Sequence, residues 1–89
     1  MLKQTLTIVN KLGLHARAAT KLVKLASSFE SAVQVKRKQR EVNGKSIMGV
    51  MLLAASKGCD IELLVNGADE TSAMSNLSDL IKSGFGEEE

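Results

Sequence analysis

Along this chain the apolar and polar positions alternate, drift into a helical period, and return to alternation. Leu6 and Ile8 alternate with Thr5, Thr7 and Val9, which predicts a first strand over residues 5–9 with one buried face. Asn10 to Leu14 reads as a loop. From Ala16 to about Ser28, Ala19, Leu22, Val23 and Ala26 recur at i, i+3, i+4 and i+7, while Lys21 and Lys24 fall elsewhere, the pattern of an amphipathic helix. Ser31 to Lys36 alternates again with Val33 and Val35 inward, and the run Lys-Arg-Lys-Gln-Arg at 36–40 reads as a charged turn or edge. Glu41 to Asn43 is a short strand closed by the turn dipeptide Asn43-Gly44. Ser46 reads as a helix N-cap. The segment Ile47 to Ala55 is too apolar all round for an exposed helix, and Ile47, Met48 and Met51 share an outward patch. Gly58 is expected just past its end. Asp60 to Asn66 sets Ile61, Leu63 and Val65 against Glu62 and Leu64, a fourth strand. Gly67-Ala68-Asp69 turns into a last helix, with Asp69 as cap, Glu70 at the positive dipole end, and Ala73, Leu77, Leu80 and Ile81 as the buried stripe. The remainder, about residues 84–89, reads as a frayed acidic tail.

The element order is therefore βαββαβα. Short connections favour a four-stranded antiparallel sheet with three helices on one face, an α+β open-faced β-sandwich. The 89 residues suit a single small domain spanning 1–89.

Composition narrows the picture further. Trp and Tyr are absent and Phe29 and Phe85 are the only aromatics, so the core must be aliphatic. No apolar run approaches the roughly 20 residues of a membrane span, and the first residues carry no signal-peptide pattern, so no membrane insertion is expected. A lone cysteine, Cys59, excludes an internal disulfide and favours a reducing, cytoplasmic setting. Nothing beside Cys59 marks an activated thiol, so packing as a small apolar group is expected. No cluster of metal-ligating residues stands out, and neither a metal nor a cofactor is expected.

Charge is unevenly spread. Residues 1–57 hold eleven of the twelve Lys and Arg against two acids, a net of +9, whereas residues 58–89 hold one Lys against eight acids, a net of −7. A basic region of that kind steers acidic partners, in a salt-dependent way.

The chemistry gathers in Gly13-Leu14-His15-Ala16-Arg17-Ala18-Ala19, which holds the only histidine. His15 falls at the start of the first helix, where Ser, Thr, Asp or Asn would be the ordinary cap. An imidazole there offers a nucleophilic nitrogen instead, the ring being the usual side chain for picking up and passing on a group near neutral pH. A helix N-terminus presents unpaired N–H groups, here those of Ala16, Arg17 and Ala18, and the positive end of the dipole, which together suit an anion. Arg17 adds a donor for the same oxygens.

The segments NKLGLHARAATKLVKLAS and VNGKSIMGVMLLAASKG resemble HPr, the histidine-containing phosphocarriers of the bacterial phosphotransferase system, at the separation that family shows. The resemblance implies that His15 accepts a phosphoryl group from enzyme I, itself charged by phosphoenolpyruvate, and passes it to an enzyme IIA. It implies that Arg17 assists and that Ser46 is a regulatory site for an HPr kinase/phosphorylase. Leu14, Thr20, Lys24, Lys45, Ile47, Met48 and Met51 are then the expected partner-binding residues, on a monomer. Many members of the family have proline where this chain has Ala18; alanine keeps an N–H donor there. The lead-in NKLG and the ending SGFGEEE look like the nitrogen-related branch, while GKSIMGVM looks like the sugar branch.

Two other classes weigh less. A lone histidine without paired carboxylates or a second base ill suits turnover of a small substrate, so a stoichiometric carrier fits better than a turnover enzyme. The order βαββαβ also describes RNA-recognition folds, but these stack bases on strand aromatics, and neither phenylalanine lies in an expected strand. No nucleic-acid partner is expected.

Overall fold

The computed structural model describes residues 1–86. The strands are β1 (Leu2–Thr7), β2 (Ala32–Arg37), β3 (Arg40–Asn43) and β4 (Asp60–Asn66), and the helices are α1 (Ala16–Ser27), α2 (Ile47–Leu52) and α3 (Glu70–Lys82). The strands form one antiparallel sheet in the order β1-β4-β2-β3. Register places Leu6 opposite Ile61, Val35 opposite Leu63 and Val33 opposite Val65, so one face carries an unbroken branched-aliphatic surface. On it lie Ala18, Ala19, Leu22, Val23 and Ala26 of α1 and Ala73, Met74, Leu77 and Ile81 of α3, all buried. This is the open-faced α+β sandwich that the alternation and helical periods call for.

Several boundaries differ from expectation, and two of them trace to contacts remote in sequence. β1 begins at Leu2, because Lys3 and Gln4 pair with β4 although their polarity hides the strand. Its neighbour Ile8 remains tied to the β4 side, donating to the Cys59 carbonyl (2.9 Å) and accepting from the Gly58 N–H (2.8 Å). α2 ends at Leu52 rather than Ala55, with Leu53 as C-cap and Ala54 in the left-handed region at φ +50° where glycine was expected. The Ala55 carbonyl is thereby freed to accept from the Leu14 N–H at 2.9 Å. Arg37 Nη1 donates to the Leu53 carbonyl (3.0 Å) and Arg40 Nη1 to that of Leu52 (2.9 Å), so the charged run also closes the helix end.

Asp69 stands at the α3 N-cap position without capping it. Its carboxylate instead accepts from the Glu30 and Ser31 N–H groups (2.9 Å each) and from the Ser31 hydroxyl, fastening the α1–β2 turn to α3. The Ser31 hydroxyl, then the Glu30 N–H, hold the Asp69 carboxyl below its ordinary range. Glu70 takes over the turn, accepting from the Gly67 N–H at 3.2 Å.

The tail expected from about residue 84 does not fray at its start. Gly84–Gly86 forms a short 3-10 turn, and Phe85, at φ +60°, is only 1% exposed. Lys21 Nζ on α1 donates to the Phe85 carbonyl at 2.7 Å. The acidic end, Glu87 to Glu89, lies outside the described residues. Leu80, expected in the stripe of α3, is half-buried, while Met74 and Ser78 take buried places beside Leu77.

Cys59 packs partly against the core, as expected of a small apolar group, but its sulfur has polar company. Sγ lies 3.4 Å from Ser56 Oγ and 3.4 Å from Arg37 Nη2. The Ser56 contacts foremost, with the Arg37 charge adding, bring the thiol below its ordinary range, contrary to the expectation of an unremarkable thiol.

Candidate functional site

The loop that carries His15 is fixed from two sides. Asn10, fully buried, donates from Nδ2 to the Gly13 carbonyl (2.8 Å) and accepts at its own carbonyl from the Gly13 N–H (3.2 Å). Gly13 has φ +66°, and a Cβ added there would sit 2.4 Å from the Ala55 carbonyl oxygen and 2.8 Å from the Ser56 Cα. Both the backbone angle and the close approach therefore require glycine. Leu14 then bonds the Ala55 carbonyl and buries its side chain, which is 5% exposed. It anchors the loop and leaves little surface for a partner, where its place beside His15 implied an exposed docking position.

His15 is the N-cap of α1, with extended backbone at φ −74° and ψ 178°, and its carbonyl accepts the first intrahelical bond from Ala19 at 2.8 Å. Nδ1 accepts from the Arg17 N–H at 3.3 Å. The imidazole thus takes the role usually given to Ser or Asp, and an accepting Nδ1 means that this nitrogen carries a lone pair aimed at the helix end. Ala16, Arg17 and Ala18 have no carbonyl four residues back inside the helix to bond. Their main-chain donors and the Nδ1 lone pair converge on one small region with the positive end of a three-turn helix behind it, a place where an attached anion is stabilised. Arg17 meets His15 through its main chain, and its side chain is exposed. Thr20 is half-buried, its hydroxyl donating to the Ala16 carbonyl at 2.7 Å.

Ser46 is the N-cap of α2, as its sequence setting implies, with Oγ accepting from the Gly49 N–H at 3.1 Å. α2 buries only Val50 and leaves Ile47, Met48, Met51 and Leu52 exposed, Met48 at 76%. Leu12, on the His15 loop, is exposed as well. Leu12 and Leu52 were not singled out from the sequence; a leucine in the polar stretch Asn10 to Gly13 was the signal for the first. Lys24 is exposed, but Lys45 is not a loose rim cation, since its Nζ donates to the Phe29 carbonyl at 2.9 Å. Neither Asn10 nor the Lys21–Phe85 contact behind α1 was legible as part of the site. Among the described residues no three His, Cys, Asp or Glu side chains are placed to hold a metal ion, and no helix is long and apolar enough to cross a membrane.

Comparison with known proteins converges on one family. The family model described as "PTS HPr component phosphorylation site" matches residues 2–83. The chain is 58% identical to the phosphocarrier protein HPr of Neisseria meningitidis serogroup A over 89 residues, all of both chains. Among solved structures it is similar to an HPr from Thermoanaerobacter tengcongensis, with a TM-score of 0.96 and 47% identity over the whole of both chains. A structure described as an HPr dimer from the same organism gives 0.78 at 47% identity, covering 98% of this chain and 100% of that one. With full-length matches of this kind in sequence and in structure, the chain belongs to the HPr family of phosphocarriers of the phosphotransferase system.

Proposed function

We propose that His15 is the phosphoryl acceptor and that Nδ1 is its reacting atom. The observation that carries this reading is the bond from the Arg17 N–H to Nδ1, which aims that lone pair at the donors of the α1 N-terminus. Phospho-enzyme I, charged by phosphoenolpyruvate, presents the phosphorus; Nδ1 attacks as the bond from phosphorus to enzyme I breaks. The transferred oxygens then receive the N–H groups of Ala16, Arg17 and Ala18, with the Arg17 guanidinium free to swing in as a further charged donor. The proton on Nε2 stays, leaving a positive ring beside the phosphoryl group and hence a bond that breaks readily. Handing the group to an enzyme IIA in sugar uptake is the same displacement with the roles exchanged. Incubating the protein with phosphoenolpyruvate and enzyme I should give one acid-labile phosphate, placed on His15 Nδ1 by phosphorus and nitrogen NMR. Label on Nε2 or on another residue would refute the assignment. Running the reaction with enzyme I of the sugar branch and of the nitrogen-related branch tells which one serves this chain.

Partners dock on Ile47, Met48 and Met51, widened by Leu52 and Leu12 and rimmed by Lys24. Thioether side chains adapt to more than one surface, which suits a carrier that must meet donor and acceptor in turn. Met48→Asp is expected to weaken binding to enzyme I and enzyme IIA together by about 10-fold or more, as loss of a central interface residue does, with the melting temperature unchanged. Unaltered binding to both would remove this surface from the reading.

Ser46 is the proposed target of an HPr kinase/phosphorylase. A phosphate there brings about −1.5 to −2 charges at pH 7 next to Ile47 and Met48, where an acidic partner would otherwise meet bare apolar surface. Ser46→Asp, a weaker mimic that keeps an acceptor for the Gly49 N–H, should raise the KM for phosphorylation by enzyme I while stability holds. An unchanged KM would count against the electrostatic mechanism. The working compartment is taken to be the cytoplasm and the working form a monomer, which light scattering at micromolar concentration checks.

A further inference from the structure

The basic hairpin between β2 and β3 has a geometry that phosphoryl transfer at His15 does not account for. The antiparallel register sets the end of β1, the start of β4, the end of β2 and the start of β3 at one end of the sheet. The His15 loop leaves β1 at that end, and the bond from Leu14 to Ala55 brings the segment after α2 there too. The hairpin therefore shares an end of the molecule with the reactive histidine. Arg37 and Arg40 reach from it to the carbonyls of Leu53 and Leu52 and so are held in place. Between hairpin and helix lies an open cleft of about 410 Å³, lined by Arg37, Lys38, Gln39, Arg40 and Leu52 to Ala54. Its lining holds three cations and no acid, whereas the neighbouring sheet surface mixes Lys36 and Lys38 with Asp60 and Glu62. Leu52, 61% exposed, supplies an apolar wall.

We propose that this cleft binds an acidic peptide segment of a protein partner, carboxylates on Arg37, Lys38 and Arg40 and an aliphatic side chain against Leu52. Each guanidinium has five N–H donors, and bonds to helix-end carbonyls leave others for a carboxylate in a fork already oriented. A single-stranded nucleic acid fits less well, because the lining has no aromatic ring on which a base can stack. In the cell the segment belongs to the partner that meets His15, and this part rests on the phosphocarrier reading.

Two measurements test it. The ¹⁵N-labelled full chain is titrated with the blocked peptide Asp-Glu-Leu-Asp-Glu and, separately, with a short oligodeoxythymidylate. Peptide shifts are expected at residues 37–40 and 52–54, fading as salt rises, and weakened about three- to fivefold by Lys38→Glu, the effect of a rim charge. Lys38→Arg should restore them. In phosphorylation by enzyme I, Lys38→Glu should raise KM by a similar factor at low salt and leave kcat alone. Shifts centred on Arg17 and Lys24, tighter binding of the oligonucleotide, or an unchanged KM would each overturn the proposal. Failure of the phosphocarrier reading shows separately, as a parent protein that takes up no phosphate, while the titration reads the cleft without any transfer.

Discussion

His15→Ala is expected to fold as the parent does and to take up no phosphate from phospho-enzyme I. The fold should survive because α1 is held by Ala18, Ala19, Leu22, Val23 and Ala26, none of which depends on the imidazole. The cap bond from the Arg17 N–H to Nδ1, long at 3.3 Å, goes with the ring, and the loss of stability should fall within the roughly 0.5–2 kcal/mol range for an N-cap. His15→Asn separates the two roles of the ring. Asparagine caps a helix well but cannot act as a nucleophile, so this variant should match the parent in melting temperature and remain unlabelled. Full labelling of either variant would place the acceptor elsewhere. Arg17→Ala belongs beside them. It keeps the main-chain donor and removes only the guanidinium, so transfer should slow without stopping. Loss of one charge-assisted contact, about 1.5–3 kcal/mol, corresponds to roughly one to two orders of magnitude in rate. Unchanged kinetics would leave the main-chain donors as the whole of the anion pocket.

Phe85→Ala should be among the most destabilising single changes in the described part of the chain. The ring is 1% exposed in a protein with one other phenylalanine and no other aromatics, so no neighbour of comparable size can fill the space. Truncating a buried phenylalanine costs about 3–5 kcal/mol, a large share of the roughly 5–15 kcal/mol by which domains are typically stable. For a domain of this length that is a fall in melting temperature of well over about 10 °C. Urea and thermal unfolding measure it directly. A loss under about 1 kcal/mol, the scale of an exposed position, would show that the Gly84–Gly86 turn does not hold its place in solution. The turn also backs the site: Gly84 lies against Asn10, whose side chain holds the Gly13 carbonyl, and the Phe85 carbonyl receives Lys21 of α1. Phosphoryl acceptance by the folded fraction of this variant should therefore be slower than in the parent.

Where the period was strong, the sequence was enough. β4 runs from Asp60 to Asn66 as its alternation requires, and Leu22, Val23 and Ala26 face the sheet as their spacing requires. His15 stood out as the candidate nucleophile because it is the only histidine and stands where a helical period opens, and the structure places it at the N-cap of α1. What escaped reading depends on contacts between segments far apart in the chain. α2 stops early because Ala55 is needed by Leu14, forty-one positions back, and nothing in Leu-Leu-Ala-Ala announces that. Leu14 sits in a loop beside a reactive residue, which reads as surface, yet its burial is set by the Gly13 approach to Ser56. Asp69 has the right type and place for a cap, but the N–H groups of Glu30 and Ser31 compete successfully for its carboxylate. Phe85 fell within the stretch read as an acidic tail; the glycines on either side of it, both at positive φ, allow the turn that folds the ring inward.

That the nitrogen proposed to react is also the cap of its own helix has a bearing on motion. A discharged carrier does not leave a vacant anion pocket behind: the ring itself supplies an acceptor to the helix end, and on the proposed mechanism the phosphoryl oxygens take over that post when they arrive. Both transfers would then begin and end on an ordered first turn, with little rearrangement to slow either direction. The difference between the two states would appear as lifetime rather than shape, the main-chain protons of Ala16 to Ala18 exchanging with solvent more slowly when the ring is charged than when it is empty.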